Sequence, residues 1–364
     1  MDFASDNSVG AAPEILAAIA AANAGAALSY GGDPWTEKAC AAIDAVFEKK
    51  CASFLVPTGT AANALALAAL TPPYGAIFCH SGAHIMEDEC GAPEFFTAGA
   101  KLVGIDGAAG KITQAGLRAK LAAFPRGAVN QVRPAALSLS QATECGTLYR
   151  ADEIAELAAI AHGHELAVHL DGARFANALV ALNASPAEMS WKAGIDVLSF
   201  GATKNGALAC EAVIFFDSTK AKNFPYQRKR GGHALSKGRF LGAQMLAYLS
   251  DDLWLRLARK ANVQAAKLAA GLADVPGIAL IWPCVANEIF LELPRTMDQA
   301  LRKGGAHYYE WSLPDAERAR HAMREDRISI RLATSFATET AHIERFIALA
   351  KAAADPSQSQ QIPS

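Results

Sequence analysis

From about residue 50 to residue 216, short apolar runs alternate with amphipathic stretches. The runs are Ser53 to Val56, Ala76 to Cys79, Lys101 to Ile105, Ala135 to Leu139, Glu165 to Leu170, Asp196 to Phe200 and Ala212 to Phe216. Runs this short read as strands, and strands alternating with helices imply parallel βαβ units. One helix is legible in detail. Asp152 can cap it, Ile154, Leu157, Ala158 and Ala161 make one face, and Gly163 can end it before the next strand. A sheet of this kind places ligands at the carboxyl ends of its strands, in the loops that follow.

After Phe216 the pattern changes. A basic segment, Gln227-Arg228-Lys229-Arg230-Gly231-Gly232-His233, precedes a long helical stretch from about Arg239 to Ala273, which is expected to bridge two domains. Beyond Pro276-Gly277, short strands such as Ile278 to Ile281, Glu288 to Leu293 and Ile328 to Ala333 surround helical pieces and give a smaller α+β unit. The tail from Asp355 is Ser, Gln and Pro and reads as disordered. No internal repeat recurs at a fixed period.

Composition narrows the partner. In 364 residues, 52% are hydrophobic and 19% charged, with a formal net charge of -2. That excludes a disordered polyelectrolyte and a nucleic-acid binder working through bulk charge, and points to a small molecule. The most apolar stretch, Ile15 to Leu28, is mainly alanine broken by Asn23 and Gly25, so no membrane span is expected. Met1-Asp2-Phe3-Ala4-Ser5-Asp6 carries acids where a secretory leader needs bases, and the cytoplasm is the expected location. Seven cysteines without a CxxC pair suggest neither a disulfide framework nor a zinc site, and no metal is expected; most should be small core residues.

The loops after the strands carry the chemistry. In Val168-His169-Leu170-Asp171-Gly172-Ala173-Arg174 an aspartate ends an apolar strand, where it can hold a protonated cation or cap the following helix. The next strand runs into Gly201-Ala202-Thr203-Lys204-Asn205-Gly206, a lysine among small residues, free to approach a ligand as a nucleophilic amine or to sit solvated on a loop. Upstream, Val56-Pro57-Thr58-Gly59-Thr60-Ala61-Ala62-Asn63 passes from strand through a glycine turn into a helix, whose free NH groups can hold a phosphate. His84 follows the strand Ala76 to Cys79 and offers a planar ring. A phosphate cradle, a stacking ring, a strand-end Asp and a loop Lys, in this order, describe a pyridoxal-phosphate site.

On these residues the chain resembles the low-specificity L-threonine aldolases, within the aspartate-aminotransferase-like class of pyridoxal-phosphate enzymes. The likeness extends to Phe3-Ala4-Ser5-Asp6-Asn7, Tyr30-Gly31-Gly32-Asp33, Asn63-Ala64-Leu65-Ala66-Leu67, His84 through Ala92, Gln141-Ala142-Thr143-Glu144 and Arg331. The resemblance implies a three-layer α/β large domain with a mostly parallel sheet and a smaller α+β carboxyl-terminal domain. It divides the chain into an amino-terminal segment 1–25 that contributes to the active site, a cofactor-binding domain 26–245, a small domain 246–354 and the tail 355–364. It further implies that Lys204 carries pyridoxal 5'-phosphate as a Schiff base and Asp171 pairs with the pyridinium nitrogen. Gly59 and Thr60 would hold the phosphate, His84 would stack on the ring, and Arg174 would lie near the phenolic oxygen. Ser8, Arg174 and Arg331 would bind the substrate carboxylate, with Ser5 or Asn7 replacing Ser8 if the alignment slips. Many relatives have a Ser where Thr203 stands, and a histidine after the central strand where this chain has Gln141, Thr143 and Glu144. One of Arg228, Lys229 or Arg230 would reach a neighbouring subunit's phosphate.

The reaction so implied is cleavage of L-threonine, L-allo-threonine and bulkier β-hydroxy amino acids such as phenylserine to glycine and an aldehyde, with His84 or a water it positions as the base. The expected assembly is a homotetramer with active sites shared across a dimer interface. An aminotransferase or β-eliminating lyase uses the same four elements and is the alternative. A Rossmann-like nucleotide binder is disfavoured, since no GxGxxG follows the early strands.

Overall fold

The seven apolar runs become seven strands of one sheet, because strands covered on both faces need no polar alternation. They are β1 (Ala52–Val56), β2 (Gly75–His80), β3 (Lys101–Ile105), β4 (Arg133–Ser140), β5 (Ala167–Gly172), β6 (Val197–Gly201) and β7 (Glu211–Phe215). The computed structural model describes residues 1–125, 127–313 and 325–355. The spatial order is β1-β7-β6-β5-β4-β2-β3. β6, β5, β4, β2 and β3 pair in parallel, whereas β7 runs antiparallel to both β6 and β1. β1 therefore points the same way as the parallel set, and the loops after β1, β2, β4, β5 and β6 emerge at one edge.

Helices cover both faces. The helix Gly59–Leu70 packs with Val56, Val197, Val213 and Phe215 on one side, and Ile43, Leu157, Phe175 and Met245 belong to the larger core on the other. The second sheet is antiparallel, in the order β10-β11-β9-β8, from β8 (Ala279–Leu280), β9 (Glu288–Pro294), β10 (Tyr309–Glu310) and β11 (Arg327–Ala333). Among the described residues no helix is long and apolar enough to cross a membrane.

Several expectations need correction. The stretch from Arg239 to Ala273 is two helices, Arg239–Leu249 and Leu253–Ala273, because Asp251 and Asp252 adopt left-handed backbone that aspartate tolerates. The second helix buries Leu253, Trp254 and Ala258 in the large core and Ala265, Leu268 and Leu272 in the small one. Asp152 is not the cap of its helix, Ala151–Gly163: Arg150 occupies that position, and its backbone N–H donates to the Glu153 side chain at 2.8 Å. Asp152 instead pairs with the Arg150 guanidinium in the exposed first turn. Glu165, at φ 61°, delays β5 until Ala167. Of the cysteines, Cys79, Cys145 and Cys210 are buried, Cys40, Cys51 and Cys284 half-buried, and Cys90 exposed. The tail from 356 lies outside the described residues.

Candidate active site

Each loop at the common edge delivers one side chain or backbone group to a single cavity of about 260 Å³. After β1, Thr58 caps the helix Gly59–Leu70 by accepting from the Ala61 N–H at 3.1 Å. That leaves the first-turn N–H groups of Gly59 and Thr60 without intrahelical acceptors, at the positive end of the helix. A Cβ on Gly59 would meet nothing within 4 Å, so the space beside this helix start is open. After β2, His84 begins the short helix His84–Glu87. Asp171 is the penultimate residue of β5 and Arg174 follows it. Lys204 sits in the turn Thr203–Asn205 after β6.

Close packing positions that turn. Asn205 Nδ2 donates to Tyr248 Oη and to the Trp254 carbonyl, both at 2.8 Å. Gly201 lies so near Ala173 that a Cβ would stand 2.6 Å from the Ala173 carbonyl oxygen, so the two strand ends carrying Asp171 and Lys204 are held together. Lys204 itself makes no hydrogen bond or ion pair among the described residues, and it lines the cavity.

A buried chain of polar groups supports Asp171. Asn63 Nδ2 donates to Asp171 Oδ2 and to Glu89 Oε1, both at 2.8 Å, and His84 Nδ1 donates to the same Glu89 oxygen at 2.9 Å. The Ala173 N–H donates to Asp171 Oδ1 at 3.0 Å. The bond to Glu89 raises the proton affinity of His84 against the opposing effect of burial. Behind Asp171, His169 is fully buried between the Ser138 and Ser199 hydroxyls at 2.8 and 2.9 Å, and burial lowers its pKa to about 4. Below the lysine turn, Glu211 accepts from the Ala202 N–H at 2.8 Å, and burial raises its pKa to about 7.

Arg174 is engaged on the amino-terminal side. Its Nε and Nη2 donate to the two Asp6 oxygens at 2.8 and 3.0 Å, and Nη2 also lies 3.1 Å from Glu288 Oε1. Burial works to raise the Asp6 pKa, but Arg174 and Lys204 outweigh it and hold the carboxyl below its usual range. Arg331 stands outside the cavity wall. It donates to the Ala4 carbonyl at 3.0 Å, lies 3.5 Å from Glu288 Oε1, and keeps a buried Nε without a partner. Ser8 is also outside, exposed and donating to the Ser5 carbonyl at 2.6 Å, whereas Asn7 lines the cavity.

Thus the fold gathers Lys204, Asp171, Gly59, Thr60, His84 and Arg174 on one cavity, places Arg331 just behind them where it meets Arg174 at Glu288, and leaves Ser8 outside. Sequence reasoning assigned no role to Asn63, Glu89 or Glu211. Asn63 had a usable signal: beyond the first turn it is the one polar residue of an alanine- and leucine-rich helix, where a buried amide demands partners.

Residues 2–292 match the beta-eliminating lyase family. The low specificity L-threonine aldolase of Pseudomonas aeruginosa is 44% identical over 90% of this chain and 97% of its own. That of Pseudomonas sp. is 43% identical over 84% of this chain and 88% of its own. Among solved structures, the threonine aldolase of Leishmania major superposes with a TM-score of 0.90 at 29% identity, covering 97% of this chain and 99% of its own. From the site geometry together with these matches, the chain belongs to the beta-eliminating lyase family, on its threonine aldolase branch.

Proposed function

We propose that this protein cleaves L-threonine and L-allo-threonine, and bulkier L-β-hydroxy-α-amino acids such as phenylserine, into glycine and an aldehyde with pyridoxal 5'-phosphate. The observation that carries the reading is the convergence on one cavity of an unpaired lysine, a buried strand-end aspartate, an imidazole and two free helix-start amides. This donor set fits the cofactor group by group. Lys204 would be the amine for its covalent attachment, Asp171 would keep the pyridine nitrogen protonated, and the Gly59 and Thr60 amides would receive the phosphate. His84, tethered by Glu89, would offer its ring to the bound cofactor. When bound, pyridoxal phosphate supplies a conjugated ring that takes up the electron pair released as the Cα–Cβ bond breaks.

The remaining residues orient the substrate. Arg174 would be the cation for the substrate carboxylate and, as the family likeness implies, would approach the phenolic oxygen of the cofactor. Arg331 acts with it through Glu288, which both arginines approach. Asn7, on the cavity wall, takes the amino-terminal contact in place of Ser8. The family likeness also supports a homotetramer whose dimers share active sites, with one of Arg228, Lys229 and Arg230 reaching across. Arg228 lies against the end of β1, donating to the Leu55 carbonyl at 3.2 Å. Sedimentation of the cofactor-loaded protein tests the assembly.

The activity test is release of glycine and aldehyde from the four stereoisomers of threonine, with Lys204→Ala alongside. Equimolar glycine and acetaldehyde from the L isomers alone is the expected result. Turnover in Lys204→Ala should fall by about 10⁴-fold or more, the scale of losing a covalent catalyst. Ordinary turnover in that variant sinks the assignment.

A further inference from the structure

Four carboxylates line the cavity: Glu89, Glu144, Asp171 and Glu211. Three are committed to the fold, Glu89 to His84 and Asn63, Asp171 to Asn63 and the Ala173 N–H, and Glu211 to the Ala202 N–H. Glu144 makes no hydrogen bond or ion pair among the described residues. Glu144 is half-buried, and a structural carboxylate even partly removed from water is ordinarily paired, because leaving it unpaired costs free energy.

The loop that carries Glu144 is nevertheless firmly built. The Gln141 amide donates to the Tyr149 carbonyl at 2.8 Å and accepts from the Tyr149 N–H at 2.9 Å. The Thr143 and Thr147 hydroxyls lie 2.8 Å apart. Gly146, at φ 69°, packs so tightly that a Cβ would come within 2.9 Å of the Phe290 ring. Glu144 also borders an outer cavity of about 740 Å³, walled in part by Asp88, Trp311 and Leu313. It therefore stands where the inner cavity meets the outer one.

We propose that Glu144 is the group that takes the proton from the substrate β-hydroxyl during cleavage. The proposal rests on the retro-aldol reading above. In the step, the hydroxyl O–H bond breaks and its proton passes to a Glu144 carboxylate oxygen. The freed oxygen pair forms the aldehyde C=O as Cα–Cβ breaks, and the electrons of that bond stay with the Cα fragment. A proton taken up from water at Cα completes glycine, and Glu144 gives its proton back to water, so the cleavage consumes no net proton.

The neighbours favour Glu144 over His84. The imidazole already spends Nδ1 on Glu89, and that bond raises its proton affinity, so at a given pH more of it is already protonated than of an ordinary imidazole and cannot accept the hydroxyl proton. Burial raises the proton affinity of Glu144, while His84, Lys204 and Arg174 oppose the shift and Glu288 reinforces it. Glu87, Asp88 and Asp106 add negative charge from the outer cavity. A carboxyl raised in this way suits proton transfer near neutral pH better than an ordinary one.

The test compares wild type, Glu144→Gln and Glu144→Asp as cofactor-loaded enzymes. Glu144→Gln should lower kcat for L-threonine cleavage about 10²–10⁴-fold and abolish the acid limb of the kcat/KM pH profile. Visible absorbance of the bound cofactor and the thermal midpoint should be unchanged. Exchange of the glycine α-proton in deuterated water, followed by NMR, should also persist, since it needs no hydroxyl proton acceptor. Glu144→Asp should recover part of the cleavage rate, with an acid limb that is present again but displaced from its wild-type position. Cleavage by Glu144→Gln within about threefold of wild type overturns the proposal, as does loss of cleavage and glycine exchange in step. Should Glu144→Gln fail to hold the cofactor, an acid limb unmoved in Glu144→Asp overturns it equally. A wild-type protein that exchanges the glycine proton but releases no aldehyde from L-threonine removes the retro-aldol reading, and this proposal with it.

Discussion

The two flanks of the cavity treat charge in opposite ways. On the amino-terminal flank, Arg174 is clamped between Asp6 and Glu288, with Asn287 donating to the same Asp6 oxygen at 3.0 Å. On the strand-end flank, Lys204 and Glu144 face the same cavity with no partner among the described residues. The first arrangement holds position: buried charges that satisfy one another fix geometry and resist change. The second stores reactivity, since a cation and a carboxylate left uncommitted can each form or break a bond to a ligand. The site thus separates groups that locate the substrate from groups that act on it.

The sharpest way to break this contrast is Lys204→Ala, whose loss of turnover should come without loss of fold. The satisfied flank should show the reverse. Asp6→Ala removes two charge-assisted bonds from the buried Arg174 guanidinium, leaving it Glu288 alone among the described residues, and should destabilise the protein by about 3–5 kcal/mol, measured by urea unfolding. A smaller effect is expected at Glu211. Its folded-state pKa, raised to about 7 by burial, means that the native state keeps a proton which the unfolded chain has released. Stability from this group is fully present below about pH 4, the ordinary carboxyl range, and is lost as pH rises through 7. Glu211→Gln should therefore remove a difference of order 2–3 kcal/mol in unfolding free energy between pH 4 and pH 8. An unchanged pH dependence would show that Glu211 is not the group responsible. Smallest of all, Thr58→Ala removes the cap beside the Gly59 and Thr60 amides and should cost about 1 kcal/mol by thermal unfolding.

The same contrast explains what the sequence made legible. All seven strands of the large sheet could be read to within two residues at every end, because strands buried on both faces are continuous apolar runs. The loop residues after them followed from sheet topology. What escaped was pairing between distant positions: Asn63 and Asp171 are separated by 108 residues, and no local pattern announces that bond. The helix break at Asp251 and Asp252 escaped because apolar periodicity continues across it. Glu144 appeared only as a departure from relatives, and its lack of a partner needs three-dimensional coordinates to be seen.

The antiparallel placement of β7 has a consequence for how this chain tolerates change in length. A parallel neighbour would require a crossover connection, whereas β7 returns directly beside β6 through residues 202–210, with Gly201 opposite Glu211. Lys204 is thus suspended on a short span anchored at both ends by strand pairing. One residue added to or removed from this span must either buckle the lysine turn or slip β7 by one position, and such a slip turns every β7 side chain to the opposite face. Glu211 would then leave the cavity, and the sheet would lose its match to the helices on both sides. Insertions that surface loops absorb at little cost are for this segment incompatible with the site, so its length is as much a constraint as any residue in it.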